Sequence, residues 1–480
     1  LHLSLRRQRQ MCIRDSLNIP PHAACDMPKK REGDASRRPL WPRATMYHFL
    51  GAEHRARLKE YRYASQGSSL VSTYVLGPYW NWLVTLFPLS IAPNTLTLSG
   101  LLLVVANYVS LLFLDGQLEK ATQLRAHTSV QDGALPTVLL LPGGGLPDAL
   151  RATQPTTESP IPSWMLFVWA ICLFLYQSMD AIDGKQARRT GMAGPLGELF
   201  DHGCDALNTM LEVVLAASAL GFGRSYWTLI CLICSLTSFF LTTWEEYHTH
   251  VLFLSSFSGP VEGILIICAL YTCAGAFGSG VFVQGVLNVL RVSHIDWVRT
   301  HIAWANVPLG DLVMLLACLG LLVNAWQAYR NVRGHCRSQH MSTLAPLAGL
   351  VPFVIQIVSH MAWASGRDAQ VMVHGHLFMA FLMTWGLSFA YLVGLVILAH
   401  VCRTPYPYWN VFMLPSMVLG LDAWLPQPIL QATLPQTVQR VYYVLGLTIA
   451  GYAYFVYDVI RTITTETGKP CFRVVKAHEQ

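Results

Sequence analysis

Ten apolar runs recur along the chain, near residues 91–115, 162–182, 205–222, 225–247, 259–284, 307–329, 342–364, 371–400, 408–425 and 438–460. Most approach the roughly 20 residues that a helix needs to cross a bilayer. No water is available inside lipid, so each run must satisfy its own backbone N–H and C=O groups. The expected fold is therefore an all-α, polytopic membrane helix bundle of about ten transmembrane helices. The composition agrees, with 53% hydrophobic and 12% charged residues, where soluble chains carry roughly 25% charged residues.

Charge is distributed unevenly. Residues 1–62 hold 14 Lys/Arg against 6 Asp/Glu, and the rest of the chain sums to −2. A basic arm on a membrane chain marks the cytosolic side, near anionic lipid, and not nucleic-acid binding. Arg330, Arg333, Arg337, Arg403, Lys469, Arg473 and Lys476 follow even-numbered runs. They place both chain ends and the 180–205 segment on one face, the cytosolic one. Residues 1–45 have no helical periodicity and read as a disordered or non-native extension, with 46–90 cytosolic or interfacial. Residues 91–284 form a core with an inserted non-cytosolic loop at 116–161, where the stretch LPGGGLPD is read as flexible linker. Further transmembrane helices fill 285–462, and 463–480 form a cytosolic tail. The scattered cysteines lie mostly in apolar runs and suit core or lipid contact.

Four aspartates break the apolar pattern. Asp180 and Asp183 sit three residues apart at the close of the second run, and Asp201 and Asp205 four apart at the start of the third. Each pair projects from one face of a helix, so two helix ends joined by a short turn can converge four carboxylates. Each bare carboxylate within a membrane costs about 2.5–3.5 kcal/mol, which a cation must offset. An all-oxygen donor set favours a hard ion, Mg²⁺ with Mn²⁺ or Ca²⁺ as alternatives, and two Mg²⁺ per site would suit displacement at phosphorus. Between the pairs, Gly184, Ala187, Gly194 and Gly197 allow close backbone approach to a bulky ligand. Lys185, Arg188 and Arg189 offer positive charge to a diphosphate.

The segment fits D-x2-D-G-x2-A-R-x8-G-x3-D-x3-D without a gap, through Asp180, Asp183, Gly184, Ala187, Arg188, Gly197, Asp201 and Asp205. This resembles the signature of the CDP-alcohol phosphatidyltransferase family. The resemblance implies that the aspartates hold two divalent metals on a CDP diphosphate, with Gly184, Ala187, Arg188 and Gly197 around the nucleotide. Asn94, in APNTLT, resembles the family's P-N-x-x-T motif and is expected at the nucleotide as well. The region from EHRARLKEYRYASQG onward, TTWEEYHT and SGPVEG are similar to the eukaryotic choline and ethanolamine phosphotransferases. That branch implies CDP-choline or CDP-ethanolamine and diacylglycerol as substrates, CMP as a product, and a location in the endoplasmic reticulum or Golgi membrane. Enzymes of this kind are often dimers, so a homodimer stays open.

The acceptor hydroxyl needs a general base. Asp205 is the base that the resemblance implies. His248 is the rival, with Glu245 one turn earlier, or Glu246, to orient it. An imidazole with an ordinary pKa near about 6.5 is the better-matched base, so His248 is preferred and Asp205 kept as ligand. Residues 241–265 carry Glu245, Glu246 and Glu262 and no Lys or Arg. That favours a cationic head group over an inositol- or glycerophosphate-type acceptor, with Trp244 and Tyr247 as cation–π partners. His360, His374, His376 and His400 are read as structural. A transporter is the alternative from another class, although no second copy of the aspartate segment marks an internal repeat.

Overall fold

The computed structural model describes residues 49–51, 55–59, 61, 65–66, 71–131, 159–253, 259–367, 373, 375–430 and 433–475. The extension 1–45, the LPGGGLPD stretch, His374 and Lys476 lie outside them. A short helix α1 (Gly77–Leu83) leads into α2 (Pro93–Asp115) and α3 (Glu119–Gln131). Next come α4 (Ser163–Thr190), α5 (Pro195–Ala219), α6 (Tyr226–Thr249) and α7 (Pro260–Phe277). Short helical turns separate α7 from α8 (Leu309–Ser338), and α9 (Val351–Ser365), α10 (Phe378–Cys402), α11 (Met413–Trp424) and α12 (Leu434–Thr467) complete the chain.

Each of the ten apolar runs has become a helix, and eight are long and apolar enough to span a bilayer. The protein is an integral membrane protein with an all-α fold. The two exceptions have different causes. Helix α5 has 25 residues but carries Glu198, Asp201, Asp205 and Glu212. Helix α11 has only 12 residues, rises about 18 Å, and falls short of an apolar core about 30 Å thick; it packs along α9 instead. The helices around the motif also outrun their apolar runs. Helix α4 continues through Arg188 and Arg189 to Gly191, whose φ of +70° ends it, and α5 starts at Pro195 in its first turn. The aspartates therefore lie inside helices rather than at their tips, because hydropathy marks lipid exposure whereas caps mark helix ends.

Alternating helix directions bring the motif and both described termini to one end. Phe49 N donates to Asp458 Oδ2 at 3.1 Å, Arg57 to the Arg403 carbonyl at 2.6 Å, and Lys469 Nζ to the Gly191 and Ala193 carbonyls at 3.0 and 2.8 Å. Ser65–Gln66 pair in parallel with Leu252–Phe253 at the same end. The opposite end is pinned by the buried Arg125–Asp311 ion pair at 2.5 Å. The expected 116–161 loop is thus partly helical. Asp115 caps α3 by accepting from the backbone N–H groups of Lys120 and Ala121 at 3.0 and 3.1 Å.

Helix α10 forms the bundle's centre, with 89% of its most apolar window buried against 17% for α8. Two glycines let neighbours reach it. A Cβ at Gly386 would lie 2.2 Å from Met210 of α5, and one at Gly394 would lie 2.6 Å from Phe455 of α12. Small residues at such crossings are what allow close helix packing where lipid removes the usual hydrophobic drive. By contrast, α8 turns Leu312, Leu315, Leu316, Leu319, Leu322, Val323 and Trp326 outward, a stripe suited to lipid.

Candidate active site

The two helices that carry the motif face each other across the turn 191–194. Carboxylate oxygens of Asp180, Asp183 and Asp201 come within 4.8 Å of one another. Thr97 of α2 donates to Asp183 Oδ2 at 2.5 Å, and Gln177 reaches Asp180 Oδ2 at 3.5 Å. Asp180 Oδ1 and Asp201 Oδ1 are buried with no hydrogen-bond partner. Leaving such atoms unpaired costs free energy that a cation between them would recover. The donor set therefore fits a divalent ion, which three carboxylates from two helices could hold. Asp205 stands one turn beyond Asp201, outside that trio, and its Oδ1 accepts from the Tyr176 hydroxyl.

The basic residues divide unequally. Lys185 donates to Asn81 Oδ1 at 2.8 Å. Arg189 donates to the Val84 and Phe87 carbonyls and to Gln186 Oε1. Both hold the interfacial segment against α4. Arg188 is exposed and makes no hydrogen bond or ion pair among the described residues, so it alone of the three stays available to an anion. Among the described residues, and apart from the neighbouring backbone of its own helix, nothing lies within 4 Å of a Cβ added at Gly197, and only the Arg188 guanidinium comes that near at Gly184. Protein packing does not demand glycine at either position. Ala187 is half-buried, and its carbonyl accepts from Met192 and Ala193 at 2.9 and 3.2 Å, closing the turn. Asn94 is engaged elsewhere: its Nδ2 donates to the Cys471 carbonyl at 3.2 Å, tying the tail to the start of α2.

The WEEYHT residues sit at the end of α6, which His250 closes with φ +57°. His248 is flanked edge-on by Trp244 and Tyr247 and stacks on Tyr406, with ring centroids 6.0 Å apart. Its Nε2 is buried without a hydrogen-bond partner. Glu245 does not orient it, because Glu245 Oε1 accepts from Asn331 Nδ2 at 2.6 Å. Glu246 turns toward His202, Glu198 and His400. The expected cation–π role of Trp244 also fails on geometry: it is 1% exposed and donates Nε1–H to the Pro346 carbonyl at 2.9 Å. Tyr247 is half-buried and donates to the Thr404 carbonyl at 2.8 Å. Burial, with Arg403 and His335 nearby, holds His250 below the usual histidine range. A cavity of 310 Å³ lies between the ends of α6 and α8, lined by Thr249, Arg330, Asn331 and His335 among others.

Thr97 and Tyr176 were missed as site residues by sequence reasoning, although the signals were present. Thr97 closes the P-N-x-x-T motif, and Tyr176 stands one helical turn before Asp180.

Fold and site together define an integral membrane protein with a polycarboxylate centre suited to a divalent ion. The model of the CDP-alcohol phosphatidyltransferase family matches residues 159–309. Over 433 residues the chain is 32% identical to Cholinephosphotransferase 1 of Saccharomyces cerevisiae, covering 88% of this chain and 96% of that protein. It is 34% identical to Choline/ethanolaminephosphotransferase 1 of the same yeast, over 77% of this chain and 83% of the relative. Choline/ethanolaminephosphotransferase 2 of Arabidopsis thaliana is 30% identical over 89% of this chain and 99% of its own length. The chain belongs to the CDP-alcohol phosphatidyltransferase family, and it is an enzyme.

Proposed function

We propose that the protein transfers phosphocholine or phosphoethanolamine from CDP-choline or CDP-ethanolamine to diacylglycerol, forming phosphatidylcholine or phosphatidylethanolamine and releasing CMP. The observation that carries this reading is the trio Asp180, Asp183 and Asp201, with its buried unpaired oxygens, in a chain similar over nearly its full length to enzymes named for that transfer. Family membership leaves the transporter alternative without support.

Asp180, Asp183, Asp201 and Asp205 hold Mg²⁺ in this proposal, two ions per site, with Mn²⁺ as a substitute. Bound there, the ions would supply positive charge to the diphosphate and to the CMP oxygen as it departs. Thr97 and Tyr176 fix the carboxylates of Asp183 and Asp205. Arg188 pairs with the diphosphate, and Gly184 and Gly197 leave room for the nucleotide beside Ala187. Asn94 reaches the nucleotide only when the Cys471 contact opens. The diacylglycerol oxygen attacks the β-phosphorus in line, a new P–O bond forms, and the bond to the CMP oxygen breaks. His248 takes the hydroxyl proton. Its support is a buried Nε2 with no other partner, whereas the Asp205 carboxylate is already engaged by Tyr176. The catalytic core is 91–284, and the site faces the cytosol from the endoplasmic reticulum or Golgi membrane, as the basic loop residues at the same end favour. A homodimer is the first assembly to test.

CMP release by the full chain in detergent, with diacylglycerol and each CDP-alcohol in turn, with and without Mg²⁺, tests the reading. Metal-dependent turnover with one or both donors is expected, and the ratio of the two rates assigns the head group. A folded protein with no turnover on either donor overturns it.

A further inference from the structure

A second buried cluster stands apart from the aspartates. Glu198 of α5, Glu246 of α6 and His400 of α10 bring carboxylate oxygens and an imidazole nitrogen within 4.8 Å of one another. They are 7%, 3% and 9% exposed. Both carboxylate oxygens of Glu198 lack a hydrogen-bond partner, as does His400 Nδ1. Among the described residues, the basic groups within ion-pair reach are His400 Nε2, 3.7 Å from Glu198 Oε1, and His202 Nδ1, 3.9 Å from Glu246 Oε2.

Those separations decide the matter. They exceed hydrogen-bond length, so the imidazoles do not satisfy the carboxylates directly. Two ligands on one ion with bonds of about 2.1 Å stand about 3.4 Å apart in a tetrahedron, close to the distance observed. Ionised together, these two buried carboxylates, with no lysine or arginine within ion-pair reach among the described residues, carry two negative charges, which a divalent ion neutralises at once. An imidazole among the donors selects against Mg²⁺ and Ca²⁺ and for the zinc class.

We infer that Glu198, Glu246 and His400 form a second metal site, which takes one divalent transition-metal ion of the Zn²⁺ type and ties α5 to α6 and α10. Its role is positioning. Glu198 and Asp201 lie three residues apart on one face of α5, so an ion that fixes Glu198 also fixes the helix presenting Asp201 to the catalytic centre. The packing around His400 is consistent with a fixed ligand: His250 stacks on its ring at 5.5 Å, and Tyr61 meets it edge-on at 6.2 Å.

The test uses the full chain, purified in detergent without a polyhistidine tag, stripped with chelator and dialysed against ZnCl₂ in excess Mg²⁺. Zinc per chain is then measured by mass spectrometry, with no substrate present. The expected result is one Zn²⁺ per wild-type chain, bound at least about tenfold more weakly in His400→Ala and in the isosteric Glu198→Gln, and retained in Asp183→Asn. Zn²⁺ should also raise the melting temperature of the wild type and leave that of His400→Ala unchanged. Absence of Zn²⁺ from the wild type under excess Mg²⁺ overturns the inference without recourse to any variant. Equal retention in monodisperse His400→Ala and Glu198→Gln overturns it too, and so does loss in Asp183→Asn, which would place the ion on the aspartates. Because binding is read apart from turnover, failure here leaves the CMP-release result standing, and the reverse holds.

Discussion

The two acidic clusters share helix α5 and differ in almost everything else. The aspartate trio comes from two consecutive helices, 21 residues from first to last, and its oxygens are all of one chemical type. The glutamate–histidine cluster draws on three helices and on residues about 200 positions apart. One is written into local spacing, so helix periodicity alone converges it. The other exists only because α10 runs through the centre of the bundle and packs against both α5 and α6. The contrast teaches that a site built from neighbouring turns can be read from a sequence, whereas one assembled by long-range packing leaves no pattern to read.

Substitutions in the two clusters should separate by size. In Asp201→Asn, CMP release is expected to fall by about 10³-fold in folded protein, since a metal carboxylate is removed at the reacting phosphate. Glu198→Gln, one turn away, should cost about tenfold, because it acts through the position of α5. Equal losses in the two variants would break the comparison and make the clusters one site. His248→Ala falls between the two, with about a 10²-fold loss for removal of the base. Activity near wild type in that variant would move the base to Asp205.

Thr97→Val should sharpen the picture of the trio. Losing the 2.5 Å hydrogen bond to Asp183 removes roughly 1.5–3 kcal/mol, so the Mg²⁺ concentration for half-maximal rate should rise by about 10- to 100-fold, with the saturated rate little changed. The smallest effect on chemistry belongs to α10. Gly386→Leu must push a side chain into Met210, whose Cγ stands 2.2 Å from the would-be Cβ, and overpacking of that kind costs about 1–3 kcal/mol. The expected readout is a lower melting temperature, with turnover per folded molecule nearly preserved.

Much of the site was legible in the sequence. The i, i+3 and i, i+4 aspartate spacing survives because α4 and α5 are consecutive and joined by a four-residue turn, with Gly191 and Pro195 setting its limits. Arg188 is exposed near the end of α4, and there is open space beside Gly184 and Gly197. The partners beyond the motif were not legible. Glu245 could have oriented His248 by its place one turn earlier, yet Asn331 of α8 takes its carboxylate. Trp244 looked free to meet a cation, yet Pro346 holds its N–H in the core. Asn94 pairs with a tail residue 377 positions away.

Sequence by itself determined the helical class, the places of the ten apolar runs and the face that the aspartates share, because each follows from backbone hydrogen bonding in lipid and from a period of 3.6 residues; that only eight of the runs can span came from the structure. Only the tertiary structure decided that α5 lies buried beside the central α10, which helices face lipid, and which carboxylates meet which imidazoles. Those outcomes depend on glycine-scale packing between helices far apart in the chain, and no local pattern encodes the distance between Glu198 and His400.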